Sequence, residues 1–411
     1  MNVTKHLLII GIVWPEPKSS AAGSRMLQLI DVFKKQGWKI TFASSATKTD
    51  FCFDPKDLGI ETHAIEINNS SFDAFIKQLN PDCVLFDRFI TEEQFGWRVA
   101  EICPAAMRII DTEDLHCLRA ARQQAFKEGK EFENAYLIND TAKREIASIL
   151  RSDLSLIIST AEMELLQSFF KVDKSLLHFI PFLLDKLDDD VKWKSFEERN
   201  HFISIGNFLH EPNWNAVLYL KESIWPLIRK QLPSAEMHVY GAYPSQKVEQ
   251  LHNAKEGFLI KGRAENSNEV MSNAKLCLAP LRFGAGIKGK LIDAMRCQTP
   301  SVTTQIGAEG MHDGLEWNGF VEDDPKVFAE AAIELYSNEN VWNEASKQGR
   351  FLIENSYQSN EKALGFLTRI NELIETRNEH RNQNFIGAML MHHTLQSTKY
   401  LSKWIQEKNR K

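Results

Sequence analysis

Twice along this chain, short runs of aliphatic and β-branched residues alternate with stretches of helical periodicity. In the first half, residues 7–13 read as a strand, 14–24 as a loop, and 26–36 as an amphipathic helix closed by Gly37, since glycine commonly stops helices. Strands follow at 39–43, at 83–86 after the turn Asn80-Pro81-Asp82, at 108–110 and at 154–159, with helical patterns between them. This alternation predicts a parallel sheet covered by helices on both faces. It resets between 181 and 200, where the run Asp188-Asp189-Asp190 and the charged stretch 192–199 carry little apolar periodicity. A second series then places strands at 202–205, 236–240, 258–260, 276–279, 301–303 and 320–321. Helices are predicted at 213–228, with Asn213 as N-cap, and at 267–274, 290–296 and 325–336.

The expected architecture is therefore α/β: two doubly wound Rossmann-like domains facing a central cleft. Domain one spans 1–185, the linker 186–200, domain two 201–376, and a basic helical tail 377–411. A length of 411 residues suits two units of roughly 200. Ligands of open parallel sheets bind beyond the carboxyl ends of the strands, so the loops there should carry function.

Composition excludes several classes. With 43% hydrophobic and 25% charged residues the chain is no disordered polymer. A formal net charge of -6 argues against a generally basic nucleic-acid binder, and no nucleic-acid partner is expected. The apolar run 7–14 is too short to span a membrane and lacks the flanks of a secretory signal. Six cysteines, none in a C-x-x-C pair, fit reduced buried thiols and a cytoplasmic protein. The tail opposes the average: Arg377, Arg381, Lys399, Lys403, Lys408, Arg410 and Lys411 stand against Glu379 and Glu407. Phe385, Met389, Leu395, Tyr400, Leu401 and Trp404 are spaced to form a helical stripe. That stripe reads either as a helix docked on the body or as a peripheral contact with an anionic membrane, at its inner face, or with an acceptor.

The chemically richest segment is Pro280-Leu281-Arg282-Phe283-Gly284-Ala285-Gly286-Ile287-Lys288-Gly289-Lys290, between a strand and a helix. Glycines let the backbone approach an anion, helix N-terminal amides favour negative charge, and Arg282, Lys288 and Lys290 add full positive charges. In chemical terms this is a diphosphate site. Gly284-x-Gly286-x-x-Gly289 also fits the dinucleotide fingerprint, but the acidic residue expected at the end of the next strand is missing, and Glu309 lies beyond it. A nicotinamide dehydrogenase is thus disfavoured. The run Asp188-Asp189-Asp190 lies in the linker, away from any strand end, so no metal site is assigned.

Gly206-Asn207-Phe208 with Pro212-Asn213, the loop 280–295, the run Thr299-Pro300-Ser301-Val302-Thr303-Thr304 and the turn Gly307-Ala308-Glu309-Gly310 together resemble the group 1, family-4 glycosyltransferases of the GT-B fold. The resemblance is good over 202–336 and looser over the loop 15–23 and the helix after it. It implies a retaining transferase that takes a nucleotide sugar as substrate, without a cofactor, and passes the sugar to a cell-surface glycan or lipid-linked acceptor. It further implies that Arg282, Lys288 and Lys290 hold the diphosphate and that Asp293 contacts the donor ribose. Gly206, Asn207, Gly284, Gly286, Glu309 and Gly310 would line the donor cleft.

The chain departs from the family pattern in three places. Ala285 and Asp293 stand where many members have two glutamates, and His210-Glu211 replaces an Arg and Lys pair. In the N-terminal half, the cluster 110–116 follows a strand, and Glu113, Asp114 and His116 are its candidates for contact with the reacting sugar. Lys18, Ser19 and Gly23 form a candidate phosphate or acceptor loop, with the competing reading of a helix start capped by Ser24. Two functions remain: a glycosyltransferase, or a non-catalytic nucleotide-sugar binder or scaffold of glycan assembly.

Overall fold

In the computed structural model, which describes residues 4–188, 191 and 193–409, the two strand series form two separate sheets. The first contains β1 (His6–Gly11), β2 (Lys39–Ser44), β3 (Glu61–Ala64), β4 (Cys83–Asp87), β5 (Met107–Asp111), β6 (Leu154–Ile157) and β7 (Leu177–Phe179), in the order β3-β2-β1-β4-β5-β6-β7. The second contains β8 (Phe202–Ile205), β9 (Met237–Tyr240), β10 (Phe258–Gly262), β11 (Leu276–Ala279), β12 (Ser301–Thr303) and β13 (Gly319–Val321), in the order β10-β9-β8-β11-β12-β13. Every pairing within them is parallel. The continuous apolar run Leu7–Ile10 is wholly buried, as a central parallel strand requires when helices cover both of its faces.

Both sheets reverse their strand order once, at β1/β4 and at β8/β11. Helices on opposite faces diverge there and leave a crevice beyond the strand ends. Gly11, Asp87, Ile205 and Ala279 end those four strands, so the topology alone directs attention to the loops that follow them.

Several expectations change in detail. β1 stops at Gly11, not at 13, because the Ile12 amide leaves the ladder and donates to Asp87 Oδ2 at 3.1 Å. The next helix runs Ala21–Lys35. Its cap is Ser20, whose hydroxyl accepts from Gly23 N, while Ser24 donates to Pro17 O. The helix expected at 213–228 begins at Glu211 and is interrupted by a π-helical turn, Leu220–Ile224. Pro226, two residues beyond it, has no N–H to continue the ladder. Asn213 is no N-cap; it bridges Asn207 O and Lys290 instead. β3 and β7 went unpredicted; they are the two edge strands of the first sheet, and β3 has little buried surface.

The linker region is anchored by Arg199, fully buried, which donates to Thr299 Oγ1 at 2.7 Å and Cys297 O at 3.0 Å and stacks over Trp342. Asp189, Asp190 and Lys192 lie outside the described residues, as do Arg410 and Lys411 of the tail.

The boundary expected at 376 falls inside a helix, Ser359–Gln383, that has already crossed back to the first domain. Its stripe of Phe366, Leu367, Ile370 and Leu373 enters the core formed by Leu7, Phe33 and Met107. Burying each such side chain is worth roughly 1.5–3 kcal/mol, which outweighs any sequence-order preference for the nearer domain. Residues 359–376 therefore belong with the N-terminal domain. The last helix, Phe385–Lys408, docks on the helices Arg88–Ile102 and Asp140–Arg151. Gly387 sits against Leu150 O where any Cβ would collide, and Arg381 grips Asp153 with two bonds of 2.7 Å.

Candidate active site

The crevices of the two sheets face each other and enclose a cleft of about 820 Å³, within the range of small-molecule sites. On the C-terminal side, the loop after β11 leads into the helix Gly289–Arg296. Lys288 is its N-cap residue. Lys288 Nζ donates to Gly286 O at 2.7 Å, and Lys290 Nζ to Asn213 Oδ1 at 2.8 Å. Among the described residues neither ammonium makes an ion pair. Burial lowers both to about 8, in Lys288 against the pull of Glu309. Lys288 is buried and Lys290 half-buried, and cations withdrawn from water without a direct ion pair are costly unless an anion completes them. Gly206, Asn207, Gly284 and Asp293 line the same cleft, and burial raises the Asp293 carboxyl.

The N-terminal side supplies Lys18, Ser19, Glu113, Asp114 and His116. Glu113 takes a left-handed backbone with φ 61°, a conformation that costs a non-glycine residue energy and often marks a functional turn. Its carboxyl is raised to about 8 by burial and by Asp111, with Arg88 opposing, and Oε1 has no partner among the described residues. Asp114 behaves oppositely. Burial resists its ionisation, yet Arg119, His116 and His210 bring it to about 2, and Arg119 bonds it directly. His116 stands at the start of the helix His116–Lys127, its Nδ1 3.1 Å from Asp114 O and 3.3 Å from Glu145 Oε1. Its ring meets Phe89 edge-on. Two adjacent carboxyls with opposed protonation states are a suitable pair for acid–base or electrostatic work.

Five of the expected residues do not line the cleft. Arg282 turns away: its guanidinium lies between the rings of Phe126 and Tyr219, at 4.5 and 4.4 Å, and Nε donates to Asn215 Oδ1 at 2.8 Å. Glu309 is engaged by Arg122, whose Nη2 and Nη1 donate to its two oxygens at 2.6 and 2.8 Å. Gly310 packs on Ser159, and Gly23 packs on the Glu16 backbone. Gly286, with φ 64°, sits where a Cβ would come within 2.7 Å of Asp114 Cβ. Its absence of side chain is what lets the loop after β11 touch the opposite domain.

Sequence reasoning missed Arg88, Arg119, Arg122 and Glu162, and met His210 only as a departure from the family pattern. Arg88 directly follows β4 at the switch point and has φ 69°, so strand order would have found it. Arg119 and Arg122 are one helical turn apart and share a face. Glu162 is wholly buried; its Oε1 accepts from Leu115 N at 3.0 Å and Gly286 N at 2.8 Å, and burial, then Asp114, raises its carboxyl to about 8. No local motif announces it. His210 lines the cleft as a neutral imidazole, lowered to about 4 by burial and Arg119. Cys277 and Cys297 are poor nucleophiles, because burial raises both to about 12.

Two doubly wound parallel domains meeting across such a cleft are the GT-B architecture of glycosyltransferases. The comparisons agree. Sucrose-phosphate synthase from Thermosynechococcus elongatus superposes with a TM-score of 0.68 at 13% identity, covering 90% of this chain and 100% of that one. Anabaena HepE in complex with UDP and glucose gives 0.68 at 12%, with the same coverage. The pneumococcal O-GlcNAc transferase GtfA, in complex with UDP and GlcNAc, gives 0.64 at 12%, covering 90% and 99%. At such identities the likeness is one of fold.

Residues 199–338 match the family described as glycosyl transferases group 1. An uncharacterized 44.6 kDa protein in a cps region of Klebsiella pneumoniae is 24% identical over 176 residues. That match spans 41% of this chain and 45% of the relative's length.

Proposed function

We propose that this protein is a retaining glycosyltransferase that moves a sugar from a nucleotide-sugar donor to a glycan or related acceptor in polysaccharide biosynthesis. The observation that carries the reading is the pair of ammonium groups that make no direct ion pair among the described residues, buried Lys288 and half-buried Lys290, at a helix start facing Glu113 and Asp114. The donor diphosphate would occupy that position, bound by the two lysines and the amides opening the helix Gly289–Arg296. Asp293 is assigned to the ribose.

The bond between the sugar's anomeric carbon and the phosphate oxygen breaks, with its electron pair leaving on the diphosphate. The acceptor hydroxyl attacks from the same face, and its proton passes to the departing phosphate oxygen. No base on the protein is then required. Glu113 and Asp114 would hold the sugar and stabilise charge, with His116 beside them. The nucleotide sugar is consumed as substrate and no cofactor takes part. UDP in the complexes of HepE and GtfA supports a nucleoside diphosphate leaving group, and the relative's cps region fits a glycan product. A cytoplasmic location follows from where such donors are made available.

The test is Lys288→Ala, which should abolish both donor hydrolysis and transfer while leaving the melting curve cooperative. Full activity in this variant would remove the site assignment. A thermal-shift screen of nucleoside diphosphates and their sugars identifies the donor by mass action.

A second reading, a non-catalytic nucleotide-sugar binder, draws on Ala285, which stands in the donor loop where an acid would be expected. Titration showing binding without turnover on any acceptor extract would favour it.

A further inference from the structure

We propose that the outward face of the last helix, Phe385–Lys408, binds an anionic lipid bilayer. The inward face is fixed on the protein. Gly387 and Ser402 are buried, Ser402 Oγ donates to Asn68 Oδ1 at 2.9 Å and receives Arg98, and Lys399 pairs with Glu101 at 2.7 Å. On the opposite side, Phe385, Met389, Tyr400 and Trp404 are spaced to fall along one stripe. Phe385 is 76% exposed, Tyr400 62% and Trp404 59%, with Ile386 and Leu401 beside them. A docked helix that still leaves six large apolar side chains in water is anomalous for a free surface.

The chemistry of the face names its occupant. Residues 382–398 contain no Asp, Glu, Lys or Arg. Among the cations of the tail, Arg381 and Lys399 are used in docking. Lys403 and Lys408 are exposed on the outward side, Lys408 Nζ lying 5.2 Å from the Trp404 ring centre, and the sequence continues with Arg410 and Lys411. Tyrosine and tryptophan settle at the headgroup level, where the apolar body and polar edge are both satisfied, and lysines extend to acidic headgroups. A second copy of this chain would meet the face with the same excess of positive charge, Glu407 being the acid there. An anionic lipid surface complements it. Among the described residues no helix is long and apolar enough to cross a membrane, so the contact is one of lying on the surface. It stands independently of sugar transfer.

The experiment is flotation of the full chain with vesicles of phosphatidylcholine alone and of phosphatidylcholine mixed equally with phosphatidylglycerol, at low and raised salt. The protein should float with the mixed vesicles only, and less at raised salt. Tyr400→Ser with Trp404→Ser should abolish flotation. Lys403→Gln and Lys408→Gln should each weaken it about fivefold. The melting curve should stay unchanged in all three variants. Failure of the unmodified chain to float with mixed vesicles overturns the proposal. So does flotation that neither the aromatic pair nor either lysine substitution alters, or a dimer in light scattering that the aromatic pair dissociates.

Discussion

Arg122 and Glu309 belong to different domains, and the guanidinium donates to both carboxylate oxygens where the domains touch, at 2.6 and 2.8 Å, while Nη1 also reaches Gly284 O at 2.9 Å. Glu162 makes a second tie from the same domain, accepting from the Gly286 amide. Both contacts end on the loop that carries Lys288, or on the turn beside it. The position of that loop is thus set by contacts from the opposite domain.

Truncating Arg122 tests this coupling. A hydrogen bond to a charged group contributes roughly 1.5–3 kcal/mol, so Arg122→Ala should raise the open population by about one to two orders of magnitude. The expected results are a larger radius of gyration in solution scattering and a raised KM for the donor. Arg122→Lys should fail to restore either, because an ammonium cannot make the paired contact. Unchanged scattering and kinetics would show that the ion pair is incidental.

The unpaired lysines link stability to pH. The Lys290 ammonium is lowered from 10.5 to about 8 in the folded chain. Between those values the unfolded chain binds more protons than the folded one, so stability rises with pH across that window. Below about 8 the full cost of the buried charge is present. Lys290→Met should therefore melt higher than the parent at pH 7, and the gap should shrink as pH climbs from about 8 toward 10.5. The same variant should bind the donor far more weakly. A melting point that falls at neutral pH would contradict the reading of Lys290 as a cation awaiting an anion.

Donor affinity should follow the same protons. Lys288 and Lys290 both lose charge above about pH 8 in the free protein, and a bound diphosphate favours their charged forms. Affinity should be flat below that point and fall above it, by up to tenfold per pH unit for each lysine. Titration calorimetry in buffers of different ionisation enthalpy should register proton uptake on binding near pH 8. Affinity that is constant to pH 9.5 would mean the lysines do not meet the diphosphate.

Much of the frame was legible because its signals are local. Leu7–Ile10 is apolar on both faces and could only be a buried parallel strand, and the glycines and lysines of 284–290 lie within one loop. What escaped depends on distance in sequence. Arg122 meets Glu309 across 187 positions and Glu162 meets Gly286 across 124, and no periodicity encodes such pairs. Arg282 misled for a related reason. Its charge was visible, but not the two aromatic rings, from different domains, that turn it out of the cleft. The helix 359–383 returns to the first domain through four apolar residues whose partners Leu7, Phe33 and Met107 lie more than 250 positions earlier, so its stripe was visible and its destination was not.

Glu113 offers the sharpest separation of structural from chemical roles. Its carboxyl is raised from 4.5 to about 8 by burial and Asp111. Between those values the folded chain holds the proton that the unfolded chain has released, so this residue's contribution to stability declines as pH rises from about 4.5 to 8. Glu113→Gln keeps the shape and removes the titration. It should melt a few degrees above the parent at pH 7, and the difference should shrink toward pH 4.5. If Glu113 contacts the reacting sugar, kcat should fall by about two orders of magnitude or more with KM little changed, and a limb near pH 8 in the parent's rate profile should vanish. His116→Ala is the control, because the ring stands beside the same loop. Should His116→Ala carry the loss in kcat while Glu113→Gln gains stability and keeps full turnover, the glutamate is a strained structural residue and the histidine holds the site.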